Sequence, residues 1–368
     1  MPKIVIFSDL HAHQFKSYAT ILPNGMNSRL ADAISIIKQV QQVAIDVNAD
    51  AVLFGGDMFH IRRQVATKVF NAVFEAVADF AITKIPLLFI HGNHDQADKQ
   101  GNDHSVYAFR LFCTVVDEPG WVSLTGKSGE RYAIMAVPYT ENIEHLRDVV
   151  SQPYSLPDVH KIFLGHLGIQ GARIGADFVY ENPHDPQAND LSIDNFDVGF
   201  LGHYHEYQNI AGNFWYVGAP MQHTWGDAQD KGRGCIVYDT DSGEHERIEL
   251  QSPKFVVMDK GRWDYGWTSK TIGQSTSGNY VRLVDKSPWT EDAREEARKQ
   301  CGARTLEIVP PKADSSSSHA ARLDVSPSMS YQDMVDAFVK SGLAPSDDLD
   351  PHYLIQIGRE ILESLEEE

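Results

Sequence analysis

Five short blocks rich in Asp, His and Asn each end an apolar, strand-like run, and that placement constrains the fold more than any other feature of the chain. The blocks are Asp9-Leu10-His11, Gly56-Asp57, Gly92-Asn93-His94-Asp95, Gly165-His166 and Gly202-His203-Tyr204-His205. The runs before them are Ile4 to Phe7, Val52 to Phe54, Leu87 to Ile90, Ile162 to Leu164 and Val198 to Leu201. In open α/β sheets, sites form where loops leave the carboxyl ends of strands. Seven oxygen and nitrogen donors delivered this way can surround two divalent cations, with one carboxylate bridging them and imidazoles filling much of the remaining coordination. Such a binuclear centre hydrolyses phosphate esters. Any one of these residues alone is more often a turn or capping residue. Five blocks in order, each after a strand, are not.

The first part of the chain alternates strand and helix. Ile4–Phe7 leads to a helix from about Ser28 to Ile45, with Ile34, Ile37, Val40 and Val43 near a 3.6-residue period. Val52–Phe54 leads to a helix around Ala66–Ala81 with Val69, Val73 and Val77 on one stripe, and Leu87–Ile90 to a helix near Val106–Phe112. This rhythm predicts a layered α/β domain over residues 1–252. After a boundary near Gln251-Ser252-Pro253, residues 253–312 read as a small α+β module. It has strands at Phe255–Met258, Tyr280–Val284 and Thr305–Val309, and a helix from Pro288 or Trp289 to Gln300 capped by Ser287. Residues 313–328 form a serine-rich linker. Residues 329–368 then form a helix pair with apolar stripes including Met334 and Phe338 on one helix and Leu354, Ile357 and Ile361 on the other. Helices this short cannot hold a core by themselves, so each stripe needs a cover.

Three widely spaced cysteines with no C-x-x-C fit small buried hydrophobes in a reducing, cytoplasmic compartment. The N-terminus enters a strand directly, and no apolar run approaches the roughly 20 residues that span a bilayer, so no membrane partner is expected. The net charge of −19 opposes tight DNA binding by the chain alone. Its distribution is uneven: residues 254–312 hold 11 Lys/Arg against 8 Asp/Glu, and residues 313–368 hold 3 against 12.

The order D-x-H, G-D, G-N-H-D, G-H, G-H-x-H resembles the calcineurin-like metallophosphoesterase superfamily. Within it, Asp57-Met58-Phe59-His60 and Tyr216-Val217-Gly218-Ala219-Pro220 are most similar to SbcD-type nucleases of double-strand-break repair. The resemblance implies two packed β-sheets flanked by helices, with 253–312 as a capping domain that positions duplex DNA. Carried over by motif, Asp9, His11, Asp57 and His205 would hold one metal. Asp57, Asn93, His166 and His203 would hold the other, with Asp57 bridging. Carboxylate and imidazole without thiolate suit Mn²⁺, Fe²⁺ or Zn²⁺, with Mg²⁺ also open, and Asn93 leans the set toward Mn²⁺. His94 is expected to act on the substrate rather than as a ligand, His60 to aid DNA positioning, and Asp95 to orient a neighbouring loop or His94. His13, His91, His184 and His223 are unassigned, although His223 follows the Gly218–Met221 turn and so comes near the site in sequence.

The resemblance further implies a homodimer, with Gln14 to Asn27 as a candidate contact, and a tail pair docked on an SbcC-type coiled-coil ATPase. Three functions stay open. The first is a Mn²⁺-dependent DNA exonuclease, with single-strand endonuclease action, in a repair or recombination complex. The second is a phosphodiesterase or phosphatase on small molecules or phosphoproteins. The third is a non-enzymatic clamp.

Overall fold

A computed structural model describes residues 2–98, 101, 103–155, 159–173, 185–229, 232–269 and 272–311. Residues 1–309 form one compact unit and 310–368 a second. The expected linker and tail helices, with Met334, Phe338, Leu354, Ile357 and Ile361, lie outside the described residues, as does His184.

The first half runs β1 (Lys3–Phe7), α1 (Ser28–Asp46), β2 (Ala51–Phe54), α2 (Thr67–Ala81), β3 (Leu87–Ile90) and β4 (Thr114–Val116). Next come β5 (Gly120–Thr125), β6 (Arg131–Val137), α3 (Ile143–Val150), β7 (His160–His166), β8 (Val198–Gly202), β9 (Gln208–Ala211) and β10 (Phe214–Tyr216). Then follow β11 (Gly234–Asp239) and β12 (His245–Glu249). One six-stranded sheet has the order β12-β11-β1-β2-β3-β4 and the other β5-β6-β7-β8-β10-β9. Within them β1 to β4 are parallel, as are β6, β7, β8 and β10, while β11 and β12 run antiparallel. These are the two packed mixed sheets flanked by helices that the resemblance implies.

Side-chain alternation assigns each strand face to a layer. Val5, Phe7, Val52, Phe54 and Phe89 meet the helices, packing with Ile36, Ile37 and Val40 of α1 and Val69, Val73 and Val77 of α2. Ile4, Ile6, Leu53, Leu88 and Ile90 face the second sheet and pack with Ile134, Ile162, Leu164 and Phe200. Both faces of β1 are therefore dry, which accounts for its unbroken apolar run. Burying one such side chain contributes about 1.5–3 kcal/mol, so a polar residue in β1 would weaken the layer it faces. Asn27 begins α1, its side chain accepting from the Arg29 and Leu30 amides at 3.0 and 3.2 Å. The face of α1 turns toward Ile36, leaving Ile34 and Val43 half-buried rather than central.

Two local expectations shift. The element after β3 is a 3₁₀ helix, Ser105–Leu111, whose buried residues Val106 and Phe109 are three apart, the period of that helix. The helix expected from Pro288 instead begins at Glu291. Asp285 accepts from the Ser287 amide at 2.9 Å and the Trp289 indole at 2.8 Å, fixing a turn, and Thr290 becomes the cap.

A third sheet is built from β13 (Phe255–Asp259), α4 (Lys260–Ser269), α5 (Ile272–Thr276), β14 (Tyr280–Val284), α6 (Glu291–Cys301) and β15 (Thr305–Val309). Its strands lie parallel in the order β13-β14-β15. Arg304 ties it to α1 through both carboxylate oxygens of Asp32, at 2.6 and 2.9 Å. None of the described cysteines is in a disulfide; Cys235 and Cys301 are buried and Cys113 half-buried.

Candidate metal centre

The β1–β2 pairing continues beyond the strands. The Asp9 amide donates to Gly56 O at 2.9 Å and the His11 amide to Asp57 O at 3.0 Å, so the first two blocks lie side by side. Asp9, His11, Asp57 and His203 have φ of 56°, 49°, 59° and 98°, the left-handed region that side chains disfavour. Strain of this kind persists where surrounding structure over-determines it, and it gathers at functional sites. Gly92 lets Asp57 in close, because a Cβ there would overlap the Asp57 carboxylate.

Contacts between the sheets complete the cluster. The His203 amide donates to Asp9 Oδ1 at 2.9 Å, and His166 Nδ1 lies 2.7 Å from Gly55 O. With Nδ1–H donating to that carbonyl, His166 Nε2 is the atom turned to the other donors and could ligate a metal, the arrangement usual for metal-binding histidines. His166 Nε2 and His203 Nδ1 sit 3.2 and 3.1 Å from Asn93 Oδ1. His11 Nε2 and His205 Nε2 are 3.0 Å apart. Asp57 Oδ2 lies 3.5 Å from both His11 Nε2 and His166 Nε2, between the two halves. All seven residues expected as ligands therefore converge. His94 and His60 adjoin them: His94 Nδ1 is 2.7 Å from His60 O, and the two rings stack at 5.6 Å.

Asp95 staples loops beside the donors. Its carboxylate accepts from the amides of Gly92, Phe59 and Met58 at 3.0, 3.0 and 3.2 Å. It thus joins the loops after β2 and β3. Burial, then the neighbouring Asp57 charge, push Asp95 up to about 7.

The donor set fits divalent cations. Metal–donor distances of about 2.1 Å place neighbouring ligands of an octahedron about 3.0 Å apart, close to the spacings above. Asp9 Oδ2 is buried with no hydrogen-bond partner, an expensive state for a carboxylate unless a cation meets it. Three groups can each close on one ion: Asp9, His11 and His205; Asp9, Asp57 and His166; His11, His60 and His94. Burial raises Asp9, with His166 and His205 pulling against it. Burial also opposes ionisation of Asp57, yet His166 and then His11 hold it well below the carboxylate range. In return, and against the effect of burial, Asp57 pushes His166 up to about 9. The buried carboxylates demand positive charge. Burial keeps His11 well below the usual histidine range and takes His203 down to about 3 and His60 to about 4, so these imidazoles are neutral and free to coordinate or hydrogen-bond.

Sequence reasoning left several neighbours out. Buried His223 places Nε2 3.2 Å from Asp9 O, with its ring centroid 5.1 Å from His11 and 5.3 Å from His205. Tyr139, after β6, lies 5.8 Å from the His203 ring. His13 packs edge-on against Phe15 at 5.0 Å and is 5.6 Å from His60. His91 instead stacks on His104 at 4.5 Å. Behind the donors, Arg29 is buried over the Phe15 ring at 4.0 Å, and Arg233 donates to His205 O at 2.7 Å. His223 alone carried a sequence signal, its nearness to the turn after the last block.

Two sheets with carboxylates and imidazoles gathered where their strands end define an α/β metal-site protein. The calcineurin-like phosphoesterase family model matches residues 2–207, more than half the chain, and the chain belongs to that family. A binuclear metal site and phosphoester hydrolysis are the family's defining chemistry. Curated relatives include "Putative phosphoesterase 078R" of Invertebrate iridescent virus 3, 24% identical over 215 residues. Another is "Putative phosphoesterase 244L" of Invertebrate iridescent virus 6, 23% identical over 216 residues. Each match covers 56% of this chain, and 58% and 70% of the respective relative. Similar solved structures include a dimetal phosphatase from Danio rerio, at 10% identity and TM-score 0.36, covering 64% of this chain and 91% of that one. The E. coli phosphoesterase YfcE is 14% identical with TM-score 0.30, covering 68% and 100%. Among the described residues, no helix is long and apolar enough to cross a membrane.

Proposed function

We propose that the chain is a two-metal phosphodiesterase whose substrate is DNA, working as the nuclease subunit of a repair or recombination complex with a coiled-coil ATPase. The observation that carries the hydrolytic part is the position of Asp57 Oδ2, 3.5 Å from an imidazole of each half-site. Two divalent ions, Mn²⁺ by the mixture of Asp, Asn and His donors, would activate water and neutralise phosphate oxygens when bound. Asp9, His11, Asp57 and His205 would hold one, and Asp57, Asn93, His166 and His203 the other. Asn93 supplies a neutral oxygen, which limits negative charge facing an anionic substrate. With His94 Nδ1–H donating to His60 O, the doubly protonated ring would deliver its Nε2 proton to the leaving oxygen and be left as the neutral Nδ1–H tautomer. Neutral His60, beside it, offers hydrogen bonding to the substrate backbone rather than fixed charge.

The DNA assignment is supported by His60 at the site, by the third sheet packed on α1, and by the likeness to SbcD-type nucleases. Homodimer formation and docking of the tail on the ATPase belong to the same reading. A second reading, phosphatase or phosphodiesterase action on small molecules, is favoured by the net charge of −19. The purified chain should be incubated with linear duplex DNA, a small phosphodiester and a phosphomonoester, each with Mn²⁺ or chelator. Mn²⁺-dependent shortening of duplex DNA supports the nuclease. Turnover of small esters with DNA left intact favours the second reading, and no turnover of any substrate defeats both.

A further inference from the structure

We propose that the neighbouring residues Gln222 and His223 are positioning residues that join the third sheet to the donor cluster, so that seating of β13 and cation binding are linked. The inference rests on the two-ion reading above and adds a connection that the reading does not require.

The two side chains point in opposite directions. His223 Nε2 donates to Asp9 O at 3.2 Å, supporting the first donor block from behind. Gln222 Oε1 accepts from the Phe255 amide, the first of β13, at 2.6 Å. The peptide between them has little freedom. The amides of His223 and Thr224 both donate to Asp227 Oδ2, at 2.7 and 2.9 Å, and Arg29 Nη2 donates to His223 O at 2.8 Å. Gln222 Nε2 donates to Asp227 O at 2.7 Å. Arg233 closes the frame, reaching Asp227 Oδ1 at 3.0 Å and His205 O at 2.7 Å. Gln222, His223, Arg29 and Arg233 are all buried.

Aromatic packing carries the same frame into the third sheet. Phe255 lies 4.9 Å from Trp225 and 4.8 Å from Tyr280, and the Arg282 guanidinium sits 4.0 Å over the Trp225 ring. Packed interiors do not absorb an ångström of movement continuously. A shift of the Phe255 amide must therefore break its bond to Gln222 or displace His223, and with it Asp9. The converse follows from thermodynamic reciprocity: a cation that fixes Asp9 and His205 must steady β13 by the same factor.

The test uses the full chain with Mn²⁺ alone as probe. Hydrogen exchange across residues 255–259 is followed as Mn²⁺ is added, and Mn²⁺ affinity is measured by calorimetry. The expected result is slower exchange in this segment on Mn²⁺ binding. Gln222→Ala should abolish that protection and weaken Mn²⁺ by about three- to tenfold, the worth of one net hydrogen bond. His223→Ala should weaken Mn²⁺ similarly, and His223→Gln, whose amide can still donate to Asp9 O, should restore much of the loss. Mn²⁺ binding with unchanged exchange at 255–259 would overturn the linkage alone. Failure of the wild-type chain to bind Mn²⁺ would overturn the two-ion reading and this inference with it. The wild-type exchange experiment decides the matter even where a variant does not fold.

Discussion

The first sheet brings Asp9, His11, Asp57 and Asn93 to the site, whereas the second brings His166, His203 and His205. Every oxygen donor therefore comes from one sheet, and the other contributes imidazole only. The backbone differs as well. Three of the four first-sheet donors have left-handed φ, against His203 alone in the second. The first sheet supplies the charge and bears most of the strain. The second supplies imidazoles at and just beyond its strand ends, with His166 turned positive against burial mainly by Asp57. Substitutions in the first sheet should accordingly act through charge, and those in the second through geometry.

The sharpest way to break this contrast is Asp57→Asn, which keeps the shape and removes the charge. Activity should fall below detection and bound metal should drop, with the fold retained by circular dichroism. Two ions and full turnover in the variant would refute the bridging role. Next in size is His94→Gln, expected to lower turnover by roughly 10²–10⁴-fold, as for loss of a general acid, with metal content unchanged. An emptied metal position would make His94 a ligand instead.

A pH experiment probes the Asp57–His166 pair, which crosses between the sheets. His166 is raised to about 9 in the folded chain against an ordinary 6.5, with burial opposing and Asp57 driving the shift. A raised folded value contributes stability that is complete below the unfolded value and lost as pH climbs through the folded one. In chelator, the melting temperature should decline as pH passes from about 6.5 to beyond 9, and Asp57→Asn should flatten that decline. A profile unaffected by Asp57→Asn would show that the pair does not govern it. Mn²⁺ should meanwhile bind more weakly as pH falls, because His166 must release its proton to coordinate. The smallest effect belongs to a control outside both sheets. Thr290→Ala removes the bond from the Ala293 amide and should cost about 0.5–2 kcal/mol in chemical denaturation, with no change in metal affinity.

The parts of this site legible in the sequence were those with short-range patterns. A donor two or three residues beyond a strand is visible because strand and loop are contiguous, as in Ile4–Phe7 followed by Asp9. Hydrophobic period located α1 and α2 for the same reason. The pairing of β11 beside β1 had no local signal, since it joins residues over 200 positions apart. Nor did the buried frame of Arg29, Asp227 and Arg233, whose members become neighbours only in three dimensions. The start of α6 failed locally: Pro288 suits a first helical position, but the Asp285 turn wins the intervening residues. His223 belongs to none of the five blocks, because it supports Asp9 from the loop after β10 and not from the end of a strand.

β1 sits between β2 and β11 in the first sheet, and this has a consequence for biogenesis. The Asp239 end of β11 pairs with Lys3, so the strand carrying Asp9 lacks one neighbour until residues 234–239 have been made. At about 5–20 residues per second, a nascent chain waits on the order of 10–50 s between making Asp9 and making Asp239. His205 and Arg233 also arrive late in that interval. No fragment that stops short of His205 can hold the complete donor set, so the full site waits for the second sheet. An ion found in the finished site therefore certifies that both sheets have closed.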